Sequence, residues 1–255
     1  MKALIGAAGQ GKRMKLMAKD NNKHLFRVFG RPLIEYSLEI TSSLDDIEEI
    51  IIVVGHQAEA IINTYGTSYN NKKIRYRIQS PLKGVVAAIH AAKMDLDGQD
   101  FFLFYGNEVI LRGRHKAMID DFYKQQACVT CGVTRPADLS QAAKSYGLIQ
   151  DEKGWVYRLI EKPKMLVNEW MGTGNCIMKS RVLDYIPSVP VHPETREKTL
   201  ADLIQCAVDN GHRVRTFHVA DEYVAINARQ DLAIVGADAE IPGSGFDEAS
   251  PRSYH

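Results

Sequence analysis

The sequence predicts an α/β protein of three layers, with helices on both faces of a mixed, mainly parallel central sheet. Three observations carry that expectation. Short apolar, β-rich runs alternate with helical patterns through the first half, in the order β-α-β-α-β-α-β. The strand runs are continuously apolar rather than alternating, as strands covered on both faces are. The chain has 255 residues, 45% of them hydrophobic, which is ample for a substantial core and fits an ordinary soluble globular protein.

The elements follow in order. Ala3 to Ile5 opens the chain, a helix is expected over Pro32 to Thr41, and Glu49 to Val54 is the next strand. Lys73 to Gln79 alternates, with Ile74, Tyr76 and Ile78 on one face. Gly84 to Met94 reads as a helix whose stripe Val85, Ala88, Ile89 and Ala92 is core. Asp100 to Tyr105 follows as a strand. In the second half, Ala127 to Val133 reads as a strand, while Tyr146 to Gln150 and Trp155 to Glu161 flank the turn-rich Asp151-Glu-Lys-Gly154 and read as a hairpin. Then come a strand from Gly174 to Met178, a helix from Leu200 to Asn210 stopped by Gly211, a strand from Val214 to Val219 and a helix beginning near Ala228. The expected organisation is one domain over residues 1–236, with halves 1–110 and 111–236, and a flexible or partner-docked polar tail over 237–255.

Composition excludes several classes. A formal net charge of +1 provides no broad field for gripping nucleic acid or anionic lipid. The longest aliphatic run, Ile50 to Val54, falls far short of the roughly 18 apolar residues of a membrane span. The first apolar stretch, Ala3 to Ala8, is broken by Gly6 and followed by Lys12, Arg13 and Lys15, which is not a secretory signal; a cytoplasmic protein is expected. Cys128 and Cys131 have CxxC spacing, but on a strand that spacing sends them to opposite faces, so they read as buried thiols.

Gly6-Ala-Ala-Gly-Gln-Gly-Lys-Arg13 directly follows the first strand, where glycines let the backbone approach a phosphate. As a Walker A loop it fits GxxxxGK but puts Arg13 where a magnesium-binding Ser or Thr is required. As a dinucleotide fingerprint, Gly9 and Gly11 fit GxG, but Met14 takes the third glycine position. A third reading is a nucleotidyltransferase loop, in which the basic residues after the glycines hold a triphosphate.

Asn22-Lys23-His24-Leu25 and the segment through Gly30-Arg31-Pro32-Leu33-Ile34-Glu35-Tyr36 resemble the second signature of sugar-1-phosphate nucleotidyltransferases, nearest to short-form glucose-1-phosphate thymidylyltransferases. The resemblance continues to about Leu232 and implies a Rossmann-like, GT-A-like nucleotidyltransferase fold with no room for a fused second enzyme. By that resemblance, Gly6, Ala7, Ala8, Gly9, Gly11, Lys12, Gln79 and Gly84 contact the nucleotide. Arg13 and Lys23 hold its phosphates, and Lys162 holds the incoming sugar phosphate. Tyr146, Gly147, Glu161, Thr173 and Gly174 surround the sugar phosphate. Glu197 and Asp202 fall in the family's acidic stretch before the late helix. The substrates implied are a nucleoside triphosphate and a sugar 1-phosphate, the cofactor is Mg2+, and the family often forms homo-oligomers.

The resemblance implies a metal site at Asn107, Glu108 and Asn227, where this chain departs from the family: Asn107 replaces the expected aspartate. An amide oxygen brings no negative charge to a hard cation. Glu108 supplies the carboxylate instead, or magnesium is carried by the triphosphate with Asn107 and Asn227 as neutral supports, or turnover is lost and ligand binding kept. The base is also open, because Asn22-Lys23-His24-Leu25 points to thymidine while Asn227-Ala-Arg229-Gln-Asp-Leu232 resembles uridylyltransferases. Transfer of a cytidylyl group to a non-sugar phosphate is a further option. His24 reads more readily as a packing histidine than as a phosphate ligand, and His56 is left outside the site.

Overall fold

The computed structural model describes residues 1–9, 11, 22–136, 139–165, 167–192 and 196–232. Lys12, Arg13 and the tail 237–255 lie outside these described residues. Fourteen strands are described: β1 (Lys2–Ala7), β2 (Arg27–Val28), β3 (Arg31–Pro32), β4 (Glu49–Val54), β5 (Ser68–Tyr69), β6 (Lys72–Ile78), β7 (Phe101–Tyr105), β8 (Glu108–Leu111), β9 (Val129–Thr134), β10 (Tyr146–Gln150), β11 (Val156–Glu161), β12 (Met171–Met178), β13 (Val214–His218) and β14 (Glu222–Ala225). The described helices are α1 (Leu33–Ser43), α2 (Ala58–Tyr65), α3 (Gly84–Ala91), α4 (Lys93–Leu96), α5 (His115–Lys124), α6 (Leu139–Ala142), α7 (Leu200–Asp209) and α8 (Arg229–Leu232), with 3-10 turns at Lys23–Leu25 and Ser180–Ser188.

Eight strands form one sheet in the order β13-β9-β12-β7-β1-β4-β6-β5. β1 pairs in parallel with both β4 and β7, β4 with β6 and β9 with β13, whereas β12 runs against both of its neighbours and β5 against β6. The sheet is therefore mixed and mainly parallel, as the continuous apolar runs predict.

Alternation along the central strands explains the three layers. Leu4, Ile51, Val53, Phe101 and Leu103 pack on one face with residues of α3, α7 and the Ser180–Ser188 turn. Ala3, Ile5, Ile50, Ile52, Phe102 and Phe104 pack on the other with residues of α1, α2 and α5. Since β1, β4, β6 and β7 point the same way, their carboxyl ends and following loops share one edge of the sheet.

Some expectations shift. The helix expected over Gly84 to Met94 is two pieces; Ala88, Ile89 and Ala92 are core as expected and Val86 joins them, while Val85 is half-buried, packed at the edge of that cluster. Ile78, the last residue of β6, is 67% exposed because alternation no longer matters where the strand leaves the sheet's cover. Cys128 and Cys131 belong to the same apolar cluster, since Cys128 precedes β9 and escapes strand alternation; both thiols are free. The hairpin is present as β10 paired with β11.

Candidate active site

Three contiguous cavities lie over the carboxyl ends of the parallel strands. Their volumes are about 510, 610 and 460 Å³, and all three share Val85, Tyr105 and Glu197, so they form one cleft.

The first cavity is built on the turn after β1. Gly6, Ala8, Gly9 and Gly11 line it together with Lys23, Gln79 and Gly84. Gly11 is left-handed, and a Cβ there would come within 2.9 Å of the Lys23 side chain; one on Gly9 would meet the Lys23 ammonium end at 3.2 Å. Lys23 therefore lies along the glycine turn, most closely at Gly11, where the positive φ and the 2.9 Å approach both favour glycine.

Local capping holds Lys23 there. The Asn22 side chain accepts from the His24 N–H at 2.9 Å and donates to the His56 carbonyl at 2.8 Å, fixing the short turn at Lys23–Leu25 to the loop after β4. His24 is buried, and its Nδ1 donates to the Gly106 carbonyl at 2.9 Å. Burial, aided by the adjacent Lys23 charge, lowers its pKa to about 3, so the ring is a neutral strut. On the far side of this cavity, Gln79 donates through Nε2 to the Gly84 carbonyl at 2.9 Å.

The third cavity is the hairpin side. Tyr146, Glu161, Lys162 and Thr173 line it with Lys144 and His192. Lys162 is a non-glycine residue at φ 44°, a conformation that costs energy. Its N–H donates to the Ser145 carbonyl at 2.8 Å, which holds that conformation at the end of β11. Its ammonium lies 3.7 Å from Glu161, whose carboxyl burial pushes up despite the Lys162 charge. Tyr146 is buried, donates to the Thr173 carbonyl at 3.1 Å and packs over Gly172. Thr173 donates to the Gly132 carbonyl at 2.9 Å.

The middle cavity joins them and carries Asn107, Glu108 and Asn227. Asn107 donates through Nδ2 to the Ile226 carbonyl at 3.1 Å and to Asn227 Oδ1 at 3.3 Å. Glu108 turns away from these two amides. Its Oε1 accepts from the Gly174 N–H at 2.8 Å and from the Tyr223 hydroxyl at 2.7 Å, and its Oε2 accepts from Asn175 Nδ2 at 2.8 Å. β12 loses its register with β9 between Gly172 and Cys176, and the Glu108 carboxylate satisfies the polar groups that this irregularity leaves behind. Burial raises the Glu108 pKa to about 7, against the three hydrogen bonds that lower it.

These residues do not fit a protein-held magnesium ion. A hard dication wants carboxylate oxygens, yet the two residues facing one another are neutral amides and the carboxylate is committed to β12. No group of three or more His, Cys, Asp or Glu suited to a metal occurs among the described residues.

Three predicted positions lie off the cleft walls. Ala7 is packed in the apolar core, Gly147 lies against Val167 and Pro163, and Gly174 gives its Cβ space to the Tyr105 ring. Asp202 lies in the first turn of α7, which Thr199 caps by accepting the Asp202 N–H at 3.1 Å through Oγ1. His56 does not line the cleft. Tyr105, Val85, Lys144 and Asp231 line it without having been singled out. Tyr105 ends a predicted strand and could have been found from that position; Lys144 and Asp231 carry no local motif.

An α/β fold with a glycine turn and a lysine-bearing cleft at the strand ends defines a protein built to bind phosphorylated ligands. The chain belongs to the nucleotidyl transferase family, whose model matches residues 2–223. It is similar to the bifunctional protein GlmU of Exiguobacterium sp. (strain ATCC BAA-1283 / AT1b), 30% identical over 91% of this chain and 51% of the relative. It is also similar to the UTP--glucose-1-phosphate uridylyltransferase AglF of Haloferax volcanii, 26% identical over 68% of this chain and 70% of the relative. A UDP-glucose pyrophosphorylase solved with UDP-glucose shares the fold, with a TM-score of 0.79, 19% identity and coverage of 91% and 95% of the two chains. The chain spans about half the length of the GlmU relatives it matches. No helix among the described residues is long and apolar enough to cross a membrane.

Proposed function

We propose that this chain transfers a nucleoside monophosphate from a nucleoside triphosphate to a sugar 1-phosphate, releasing pyrophosphate. The observation that supports it most is the continuity of the cleft: Lys23 lines its first and middle cavities, and Lys162 its middle and third. Residues 1–110 supply the nucleotide side and residues 111–236 the sugar-phosphate side. In this reading a phosphate oxygen of the sugar 1-phosphate attacks the α-phosphorus in line. The new P–O bond forms as the bond to the bridging oxygen breaks, and that electron pair leaves with pyrophosphate.

Such a reaction needs positioning and positive charge rather than a covalent intermediate. Lys23, stretched along the glycine turn, meets the triphosphate; Arg13, outside the described residues, is assigned the β- and γ-phosphates by family resemblance. Lys162 holds the acceptor phosphate, and Glu161 the sugar hydroxyls. Asn107 and Asn227 are neutral neighbours of the phosphates rather than a charged cage, so any magnesium would be held by the triphosphate itself and would offset its charge. The family resemblance to uridylyl and thymidylyl enzymes favours a pyrimidine nucleotide, and such substrates fit a cytoplasmic setting.

Asn107 motivates a second reading, a homologue that binds nucleotide without turnover. Incubating the chain with each nucleoside triphosphate, magnesium and a panel of sugar 1-phosphates, and measuring pyrophosphate, separates the two. Pyrophosphate from one pair supports transfer; nucleotide binding without pyrophosphate from any pair supports the second reading.

A further inference from the structure

Lys144 and Asp231 meet in the middle cavity from opposite parts of the chain. Lys144 stands in the turn between α6 and β10, and its Nζ lies 3.0 Å from Asp231 Oδ1. The Asp231 side chain is 3% exposed and that of Lys144 44%. The other Asp231 oxygen accepts the N–H groups of Asn227 at 2.7 Å and Ala228 at 2.8 Å. Asn227 in turn accepts from Asn107. A continuous chain of polar contacts therefore runs from Lys144 through Asp231 and Asn227 to Asn107 at the end of β7.

Two features aim this ion pair at a ligand rather than at the fold alone. An ammonium carries three donors, and with Asp231 as the partner of Lys144 Nζ among the described residues, capacity is left toward the cavity that Lys144 lines. Lys144 also shares a wall with Lys162: the residue next to it, Ser145, accepts the Lys162 N–H at 2.8 Å, and both lysines line the middle and third cavities. Opposite them stand the amides of Asn107 and Asn227, which carry no charge. The middle cavity is thus lined by Lys23, Lys144 and Lys162, with Glu108, Glu197 and Asp231 as its carboxylates; of these Asp231 is paired with Lys144 and Glu108 is bonded to Gly174, Asn175 and Tyr223.

We propose that Lys144 is a third phosphate-binding lysine of this cleft and that Asp231 positions it together with Asn227. The ligand class is a di- or triphosphate anion reaching the middle cavity. This rests on the function proposed above.

The experiment is calorimetric titration of inorganic pyrophosphate, and separately of UTP and TTP, into the full chain and into Lys144→Gln, Lys144→Arg, Lys23→Gln, Asp231→Asn and the Lys144→Gln/Asp231→Asn double variant. Loss of one charged hydrogen bond predicts about tenfold weaker pyrophosphate binding for Lys144→Gln. Lys144→Arg, which keeps the charge and can still reach Asp231, should stay near wild type and shows that the loss is not unfolding. Asp231→Asn should weaken binding in the native background and add nothing to Lys144→Gln, as expected of a residue acting through Lys144. Unchanged binding by Lys144→Gln, with weakened binding by Lys23→Gln, overturns the role of Lys144 and leaves the nucleotide site standing. Absence of pyrophosphate, UTP and TTP binding by the wild-type chain overturns the function itself.

Discussion

Asn107 and Glu108 are consecutive and both line the middle cavity, yet the Asn107 amide is turned across it and the Glu108 carboxylate is bonded to the packing behind it. Asn107 reaches across to Asn227 and the Ile226 carbonyl, a neutral pair in a cavity lined by three lysines and three carboxylates. Glu108 turns to β12 and pins its irregular segment through Gly174, Asn175 and Tyr223. The contrast teaches that a carboxylate's presence next to a reaction centre says little about its role. What matters is where its lone pairs are already spent.

The sharpest way to break that contrast is Glu108→Ala. It strands the Gly174 N–H, the Asn175 amide and the Tyr223 hydroxyl in the interior, and should cost about 3 to 5 kcal/mol of stability by urea unfolding. A variant that unfolds like wild type but loses divalent-cation affinity would return Glu108 to the metal site. Next in size, Lys23→Gln should lower kcat/KM for pyrophosphate release by about 100- to 1000-fold, since one charge aimed at the transition state is removed, with the unfolding midpoint nearly unchanged.

The polar network behind the cleft also has a pH signature. His115 is buried between Phe102, Phe104 and Asn175, and burial lowers its pKa to about 4, against the hydrogen bond it donates to Asn175 Oδ1, which raises it. Because the folded-state value is depressed, the stability His115 supports is present above its ordinary value of 6.5 and lost as pH falls toward 4. The stability difference between wild type and His115→Gln should therefore shrink by about 3 kcal/mol between pH 7 and pH 4. A difference that is flat with pH contradicts the buried neutral imidazole. The smallest effect is that of Asn107→Asp. A carboxylate cannot donate to the Ile226 carbonyl, so the variant should lose about 1 to 2 kcal/mol of stability while gaining affinity for Mn2+, read by electron paramagnetic resonance.

Much of the fold was legible because hydrophobic pattern is a local signal. β4, β7, the β10–β11 hairpin and α7 with its stop at Gly211 stand essentially where their residues predict. The glycine turn and Lys23 were legible for the same reason, as residues close in sequence. The stripe assigns Val85 to the core where Val86 is the fully buried one, because which of them faces the core depends on how α3 meets the sheet. Lys144 and Asp231 were invisible for a stronger reason: 87 residues separate them, and only the folded chain brings them within 3.0 Å. At Gly147 and Gly174, which the resemblance places around the sugar phosphate, the fold itself asks for glycine, since a Cβ would meet Val167 and the Tyr105 ring.

The central claim is that one continuous cleft joins a nucleotide to a sugar phosphate, and pyrophosphate exchange tests it most directly. The chain is incubated with radiolabelled pyrophosphate, magnesium and UDP-glucose or TDP-glucose, and label entering nucleoside triphosphate is counted. The account predicts label in the triphosphate only when the nucleotide sugar is present, falling sharply in Lys23→Gln. Label that enters without the nucleotide sugar, or no label across a panel of nucleotide sugars despite measurable nucleotide binding, contradicts it.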